Sequence, residues 1–237
     1  MPDTLVELKG VTKEFRNGEI VVRALRGIDL VIRQGDFMAL VGPSGSGKTT
    51  LLNLIGGLDV ATSGTVHVFG RNLARMSRRE RALLRLESLG FVFQAYNLIP
   101  VLTARENVEF VLELQGAPDR RRRALDALKE VALEAEIDRR PSEISGGQQQ
   151  RVAVARAVAA RPKLVLADEP TANLDSENAE ALLKMMRTLR DEHGMTFLFS
   201  THDPLVVSWA SRVVKLRDGR VVSDETRDSE KEAARDA

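Results

Sequence analysis

Four short segments of this 237-residue chain are apolar until they end: FMALVG at 37–42, LGFVFQ at 89–94, LVLADE at 164–169 and TFLFSTH at 196–202. Unbroken apolar strands of this length suit a parallel sheet whose two faces are both covered. Each segment ends on a group that can do chemistry: a glycine-rich loop, Gln94, the pair Asp168-Glu169, and His202. In open α/β sheets, ligands sit at the carboxyl ends of the strands. Four strands that deliver such groups to one edge predict a ligand cleft along it.

The flanks of this sheet read differently. LVELKGV, VVRAL and GIDLVI near the N-terminus alternate more and predict shorter, mostly antiparallel strands, as does TVHVFG at 65–70. Residues 95–160 are rich in Leu, Ala, Glu and Arg at helical spacing, as in ARENVEFVLELQG and RRRALDALKEVALEAE. They predict a helical subdomain inserted between strands of the sheet. One α/β domain over residues 1–222 is expected. A charged tail follows at 223–237, SDETRDSEKEAARDA, too poor in large apolar residues to be more than a frayed helix or a disordered end.

The first apolar strand runs into Gly42, Pro43, Ser44, Gly45, Ser46, Gly47, Lys48 and Thr49, with Thr50 and a helical LLNLIGG after it. This fits G-x-x-x-x-G-K-[ST] in the strand-then-helix context that gives the motif meaning. Its glycines let successive N–H groups turn inward around phosphates. Lys48 is expected to reach the β- and γ-phosphates, and Thr49 to offer its hydroxyl to Mg²⁺. The motif by itself specifies a nucleoside triphosphate and not what is done with it.

Asp168 is placed to hold Mg²⁺, directly or through water, and Glu169 to orient and polarise an attacking water. Acidic pairs also cap helices and turns, and Pro170 marks such a turn, so the phosphate loop is what favours catalysis here. His202 could hydrogen-bond the γ-phosphate or the water. Gln94 could contact Mg²⁺ or the water.

Residues 144–151 read ISGGQQQR. Taken alone, Ser145-Gly146-Gly147-Gln148 fits a capping box, with serine at the N-cap and glutamine three positions on. Yet each glycine in a helix start costs about 1 kcal/mol relative to alanine. That cost makes sense if the backbone must come close to something, and a helix N-terminus of bare amides attracts anions. Two phosphate-seeking elements in one chain suggest a nucleotide held from two sides.

The bulk composition excludes other chemistries. There is no cysteine, which removes disulfides, thiol catalysis and thiolate metal sites. His67, His193 and His202 are too widely spaced to suggest a zinc site. A net charge of +1 argues against a dedicated nucleic-acid binder, whose affinity rests on neutralising phosphates. The N-terminus lacks the pattern of a signal peptide, and no apolar run approaches the ~20 residues needed to span a membrane.

Together GPSGSGKT, Gln94, SGGQQQR, LVLADEP, LDS at 174–176 and His202 resemble the ATP-binding cassette of ABC proteins, from about Leu5 to Val222. The finer wording resembles the branch that holds the lipoprotein-releasing (LolD) and macrolide-export (MacB) ATPases: GPSGSGKTTLLNLIGGLD, GFVFQAYNLIP, LTARENV, SGGQQQRVAVARA and LADEPTANLDS. The resemblance implies a P-loop NTPase fold with a mostly parallel core sheet, an N-terminal antiparallel β-subdomain and the inserted helical subdomain. It implies a head-to-tail homodimer in the ATP-bound state. ATP would lie between the loop at 42–49 of one subunit and Ser145, Gly146, Gly147 and Gln148 of the other, with Asp175 in a loop crossing the interface beside it. Phe15, where the family usually has tyrosine, would stack on adenine; the alternative is an ordinary buried strand residue. Ala172 stands where this branch often has glycine, which removes no chemical group.

The implied activity is ATP hydrolysis that powers an integral-membrane permease, from a peripheral position on the cytoplasmic face of the inner membrane. The permease's short cytoplasmic helix would dock near Tyr96, Leu98, Ile99 and Pro100, although Leu98 and Ile99 could instead pack the helical subdomain. An alternative is an FtsE-like ATPase that regulates a membrane partner without transporting a substrate. A soluble cassette protein of translation or DNA repair usually has two cassettes or a long coiled-coil insertion, and this chain has neither.

Overall fold

The computed structural model describes residues 3–227. The chain opens with β1 (Thr4–Asn17) and β2 (Ile20–Arg33), a long antiparallel hairpin. VVRAL and GIDLVI, read above as separate strands, are two halves of β2. The alternation breaks between them because the pairing slips: Val11 faces Ile28, but Thr12 faces Arg26. Gly27, at φ 87°, lies at this bulge, and the Gly10 N–H opposite donates to Asp29 Oδ1 at 2.8 Å.

β3 (Phe37–Val41) leads through the glycine loop into α1 (Lys48–Ile55). β4 (Ser63–Val68) and the two-residue β5 (Arg71–Asn72) complete an antiparallel sheet of order β2-β1-β4-β5. Next comes α2 (Arg78–Ser88), which precedes the helical stretch expected at 95–160. Its signal is a capping box: Ser77 Oγ accepts from the Glu80 N–H, and Glu80 accepts from the Ser77 N–H. After β6 (Leu89–Val92) come three helices, α3 (Ala104–Leu114), α4 (Arg120–Glu130) and α5 (Gly146–Val158). The chain then returns to β7 (Leu164–Asp168), α6 (Ser176–His193), β8 (Thr196–Thr201), α7 (Pro204–Trp209), β9 (Arg212–Arg217) and β10 (Arg220–Thr226).

The second sheet has the order β10-β9-β3-β8-β7-β6 and is parallel except for β10. The four apolar segments are its β3, β8, β7 and β6, side by side as expected. They are apolar without alternation because each face has its own core. Phe37, Val165, Phe197 and Phe199 pack on one side with Leu112, Leu128, Val154, Met186 and Trp209 from the helices. Met38, Leu40, Leu166 and Leu198 pack on the other with Leu51 and Ile55 of α1 and Leu8, Ile28 and Val68 of the antiparallel sheet. The carboxyl ends of the four strands are thereby held rigidly in one row.

The tail expected over 223–237 does not start at residue 223. Residues 223–226 belong to β10, where Asp224 pairs with Val214. Arg212 fixes them there. Its buried guanidinium donates twice to the Asp224 carboxylate, at 2.7 and 2.8 Å, once to Asp36 at 3.0 Å and once to the Val31 carbonyl at 2.8 Å. Charge-assisted bonds of this kind substitute for the apolar residues the segment lacks. The remainder of that tail, 228–237, lies outside the described residues.

Candidate functional site

The carboxyl edge of β3, β8, β7 and β6 opens into a cleft of about 700 Å³. Its floor is the loop from Pro43 to Thr50 between β3 and α1. Gly47 shows why this loop needs glycine. It sits at φ 105°, a conformation L side chains rarely adopt, and a β-carbon there would lie 2.7 Å from the Ala24 carbonyl oxygen. α1 begins without any side-chain cap and without an acidic residue in its first turn, whereas α2, α3 and α5 each begin with a capping box. The first amides of α1 are thus left for an external acceptor. Ser46 Oγ is buried with no hydrogen-bond partner, a second group with unmet capacity inside the loop. Lys48 folds across the loop, donating to the carbonyls of Gly42 at 2.7 Å and Pro43 at 3.2 Å. An ammonium group has three protons, so both its charge and a donor remain to serve an anion.

Asp168 and Glu169 stand opposite. Thr49 Oγ1 donates to Asp168 Oδ2 at 3.1 Å, which joins the end of β7 to the first turn of α1. These two oxygen groups could hold a hard cation such as Mg²⁺, with phosphate and water completing its shell. Glu169 has φ 47°, uncommon for a side-chain-bearing residue, and its N–H donates to the Ser200 carbonyl of β8 at 2.8 Å. Its carboxylate accepts from Thr201 Oγ1 at 3.1 Å and from His202 Nδ1 at 2.7 Å. Thr201 is in turn positioned by Asp203, whose N–H donates to its hydroxyl at 3.0 Å. Glu169 is therefore a carboxylate of fixed direction, and His202, 74% exposed, is oriented by it.

The rest of the lining comes from three directions. Gln94, just past β6, is exposed, and its carbonyl accepts from Asn173 Nδ2 at 2.9 Å. Phe15 of β1 is 45% exposed, not a buried strand residue, and Lys13 Nζ lies 4.9 Å from its ring centroid. Val22, Arg23 and Ala24 of β2 also line the cleft, as does Ser200. Nothing in the residue types of these four marks them; the hairpin's placement brings in the first three, and Ser200 comes from within β8.

Ser145, Gly146, Gly147, Gln148 and Asp175 do not line this cleft. The first four open α5, where both halves of the capping box form: Ser145 Oγ accepts from the Gln148 N–H at 3.2 Å, and Gln148 Oε1 accepts from the Ser145 N–H at 2.8 Å. The capping reading and the anion reading are thus compatible, since the box leaves other amides of that turn free. Asp175 caps α6, with Oδ1 accepting from the Asn178 N–H and Oδ2 from its side chain, both at 2.8 Å. Those bonds hold the Asp175 carboxyl below the usual carboxylate range. Asn178 lies against Gly147, so this cap and the opening of α5 form one separate surface.

A second concavity of about 460 Å³ lies behind Gln94, between α2, β6, α3 and α5. Leu58, Leu86, Phe91, Phe93 and Leu114 make it apolar, with Arg85 and Arg156 at its walls. Exposed Phe110 and Val101 lie on the same subdomain. Leu98 and Ile99, for which docking and packing of the helical subdomain were both open, are only half-exposed. Leu98 packs on the helical core, and the buried Asn107 side chain bonds both the N–H and the carbonyl of Ile99.

Residues 25–172 match the family model described as ABC transporter. The chain is 47% identical over 222 residues to the lipoprotein-releasing system ATP-binding protein LolD of Anaeromyxobacter dehalogenans, covering 92% of this chain and 93% of the relative. It is 48% identical over 222 residues to the macrolide export ATP-binding/permease protein MacB of Azoarcus sp., covering 93% of this chain but only 34% of that longer protein. It therefore spans about a third of the length of that relative. Among solved structures, a dimeric post-hydrolysis state of the ATP-binding cassette MJ0796, bound to ADP and Pi, superposes with a TM-score of 0.87 at 42% identity, covering 94% of this chain and 98% of the other. MJ0796 belongs to Methanocaldococcus jannaschii and is 43% identical to this chain over 227 residues, covering 93% of this chain and 97% of the relative.

Proposed function

Since this chain belongs to the ABC transporter family, we propose that it is the ATP-binding and ATP-hydrolysing subunit of a membrane permease of the lipoprotein-release or macrolide-export type. It works as a head-to-tail homodimer. The observation that carries this reading is the separation of the two phosphate-seeking elements. The cleft holds Lys48, Thr49, Asp168, Glu169, Gln94 and His202, while Ser145 to Gln148 open α5 and are absent from its lining. A second copy is needed to bring the two together on one nucleotide.

In this reading the triphosphate lies on the amides of residues 43–50 with Lys48 against its β- and γ-oxygens. Thr49 and Asp168 would hold Mg²⁺, with Gln94 available to it. The ion, when bound, neutralises charge on the phosphates. Glu169 accepts a hydrogen bond from the attacking water and directs it, and His202 steadies that carboxylate and reaches the γ-phosphate. The partner's Ser145 hydroxyl and helix-end amides close the far side. Phosphoryl transfer asks mostly for positioning and charge stabilisation, which this assembly supplies. The apolar groove beside Gln94 takes a cytoplasmic helix of the permease, which sets the subunit on the cytoplasmic face of the membrane; among the described residues no helix is long and apolar enough to cross one.

The test is concentration. Specific ATPase activity of the purified chain is expected to rise with protein concentration, because the active species is a dimer. An activity per chain that stays constant down to strictly monomeric dilution overturns the proposal.

Phe15 gives a second measurement. If its ring stacks on the base, Phe15→Ala weakens ATP binding by about 1–2 kcal/mol, read by calorimetry, while Phe15→Tyr binds as the parent does. Equal affinity for all three proteins removes Phe15 from the site.

A further inference from the structure

Two residues beyond Gln94 the backbone enters a conformation that needs holding. Tyr96 has φ 48° and Asn97 φ 52°, both in the left-handed region that side-chain-bearing residues seldom occupy. The holder is Arg156 on α5. Its guanidinium donates to the Tyr96 carbonyl at 2.8 Å and also to the Asn97 carbonyl. Burial lowers the Arg156 pKa, and these carbonyls are what make a desolvated cation tolerable there.

The Tyr96 side chain reaches the other end of the same helix. A β-carbon on Gly146 would lie 2.9 Å from the Tyr96 hydroxyl, so the phenol tip rests against the first residue of α5. On the opposite flank, Asn178 lies 3.4 Å from where a β-carbon on Gly147 would be, held by Asp175. The turn from Ser145 to Gly147 is thus set between a tyrosine from the Gln94 segment and an asparagine from α6. Arg156 also forms part of the wall of the apolar groove, whereas neither Tyr96 nor Arg156 lines the nucleotide cleft.

We infer that Tyr96 and Arg156 are positioning residues that set the orientation of the Ser145–Gly147 turn from the segment between Gln94 and the groove. The connection is a contiguous one: Arg156, the Tyr96 main chain, the Tyr96 ring, Gly146. The inference rests on the shared site proposed above.

The experiment uses the full chain carrying Glu169→Gln as the parent and follows ATP-dependent dimerisation by sedimentation. ATP binding to dilute monomer and thermal unfolding are measured beside it. Tyr96→Ala is expected to raise the ATP concentration for half-maximal dimer about tenfold. Tyr96→Phe, which removes only the hydroxyl at Gly146, raises it about threefold. Neither variant changes monomer affinity or the unfolding midpoint, as a merely structural role would. Tyr96→Ala combined with Arg156→Lys dimerises no worse than Tyr96→Ala alone, since both act along one path. Dimerisation by the Tyr96 variants at the parent's ATP concentration overturns the inference, and so does a multiplied effect in the double variant. If the parent itself forms no ATP-dependent dimer, the shared site fails first and the inference falls with it.

Discussion

Glu169→Gln is expected to lower ATP turnover by about 10²–10⁴-fold, the range set by loss of a positioned general base. Nucleotide binding should persist, because Lys48, Thr49 and the loop amides are untouched. The substitution is nearly isosteric. The amide oxygen can still accept from Thr201, and the left-handed backbone at Glu169 is secured by its own N–H to Ser200. What disappears is the negative charge and the capacity to take a proton. With hydrolysis stalled, the ATP-bound dimer should accumulate, visible as a shift to twice the monomer mass in gel filtration with ATP. Phosphate release at the parent's rate would remove Glu169 from its assigned role and leave the neighbouring Asp168 or His202 to be considered in its place.

The reason so much of this cleft is legible in the sequence is that its chemistry sits at strand ends. β3, β6, β7 and β8 are buried on both faces, so they read as apolar runs, and each run points to the residue that follows it. That locates residues 42–50, Gln94, Asp168, Glu169 and His202 without knowing the strand order. Val22, Arg23 and Ala24 could not be found this way. They belong to a half-exposed hairpin whose bulge at Gly27 breaks the alternation, and only long-range packing carries them to the cleft. The strand at residues 223–226 is hidden from the sequence for a related reason. SDET has the composition of a tail, and its place in β10 depends on Arg212, a partner twelve residues upstream of Asp224 that no local pattern announces. Likewise the choice between exposure and packing for Leu98 and Ile99 stays open in the sequence, because it turns on a single buried Asn107 that bonds the Ile99 backbone. Local periodicity finds strands; it does not find the polar side chains that pin irregular backbone.

Ser145→Arg separates the two halves of the proposed site. Ser145 is exposed and lies outside the cleft, so an arginine there meets none of the groups that hold a nucleotide in its own chain. It breaks the capping box of α5, a loss of about 1 kcal/mol, which the buried face of that helix, with Val152, Val154 and Val158, can absorb. In the proposed dimer the same arginine would occupy the place where the turn approaches the γ-phosphate held by the other copy, and it removes a hydroxyl donor. Turnover should fall by about 10²–10³-fold or more, as for loss of a donor aimed at developing charge, while ATP binding by the monomer, read by calorimetry, stays at the parent's value. The geometry makes one further demand. Mixed with Glu169→Gln chains, Ser145→Arg chains should recover turnover, because a mixed dimer pairs an intact cleft from one chain with an intact turn from the other. Weakened binding in the Ser145→Arg monomer would mean that the turn serves its own chain's nucleotide. A mixture as inactive as each variant alone would mean that no site is built across two copies.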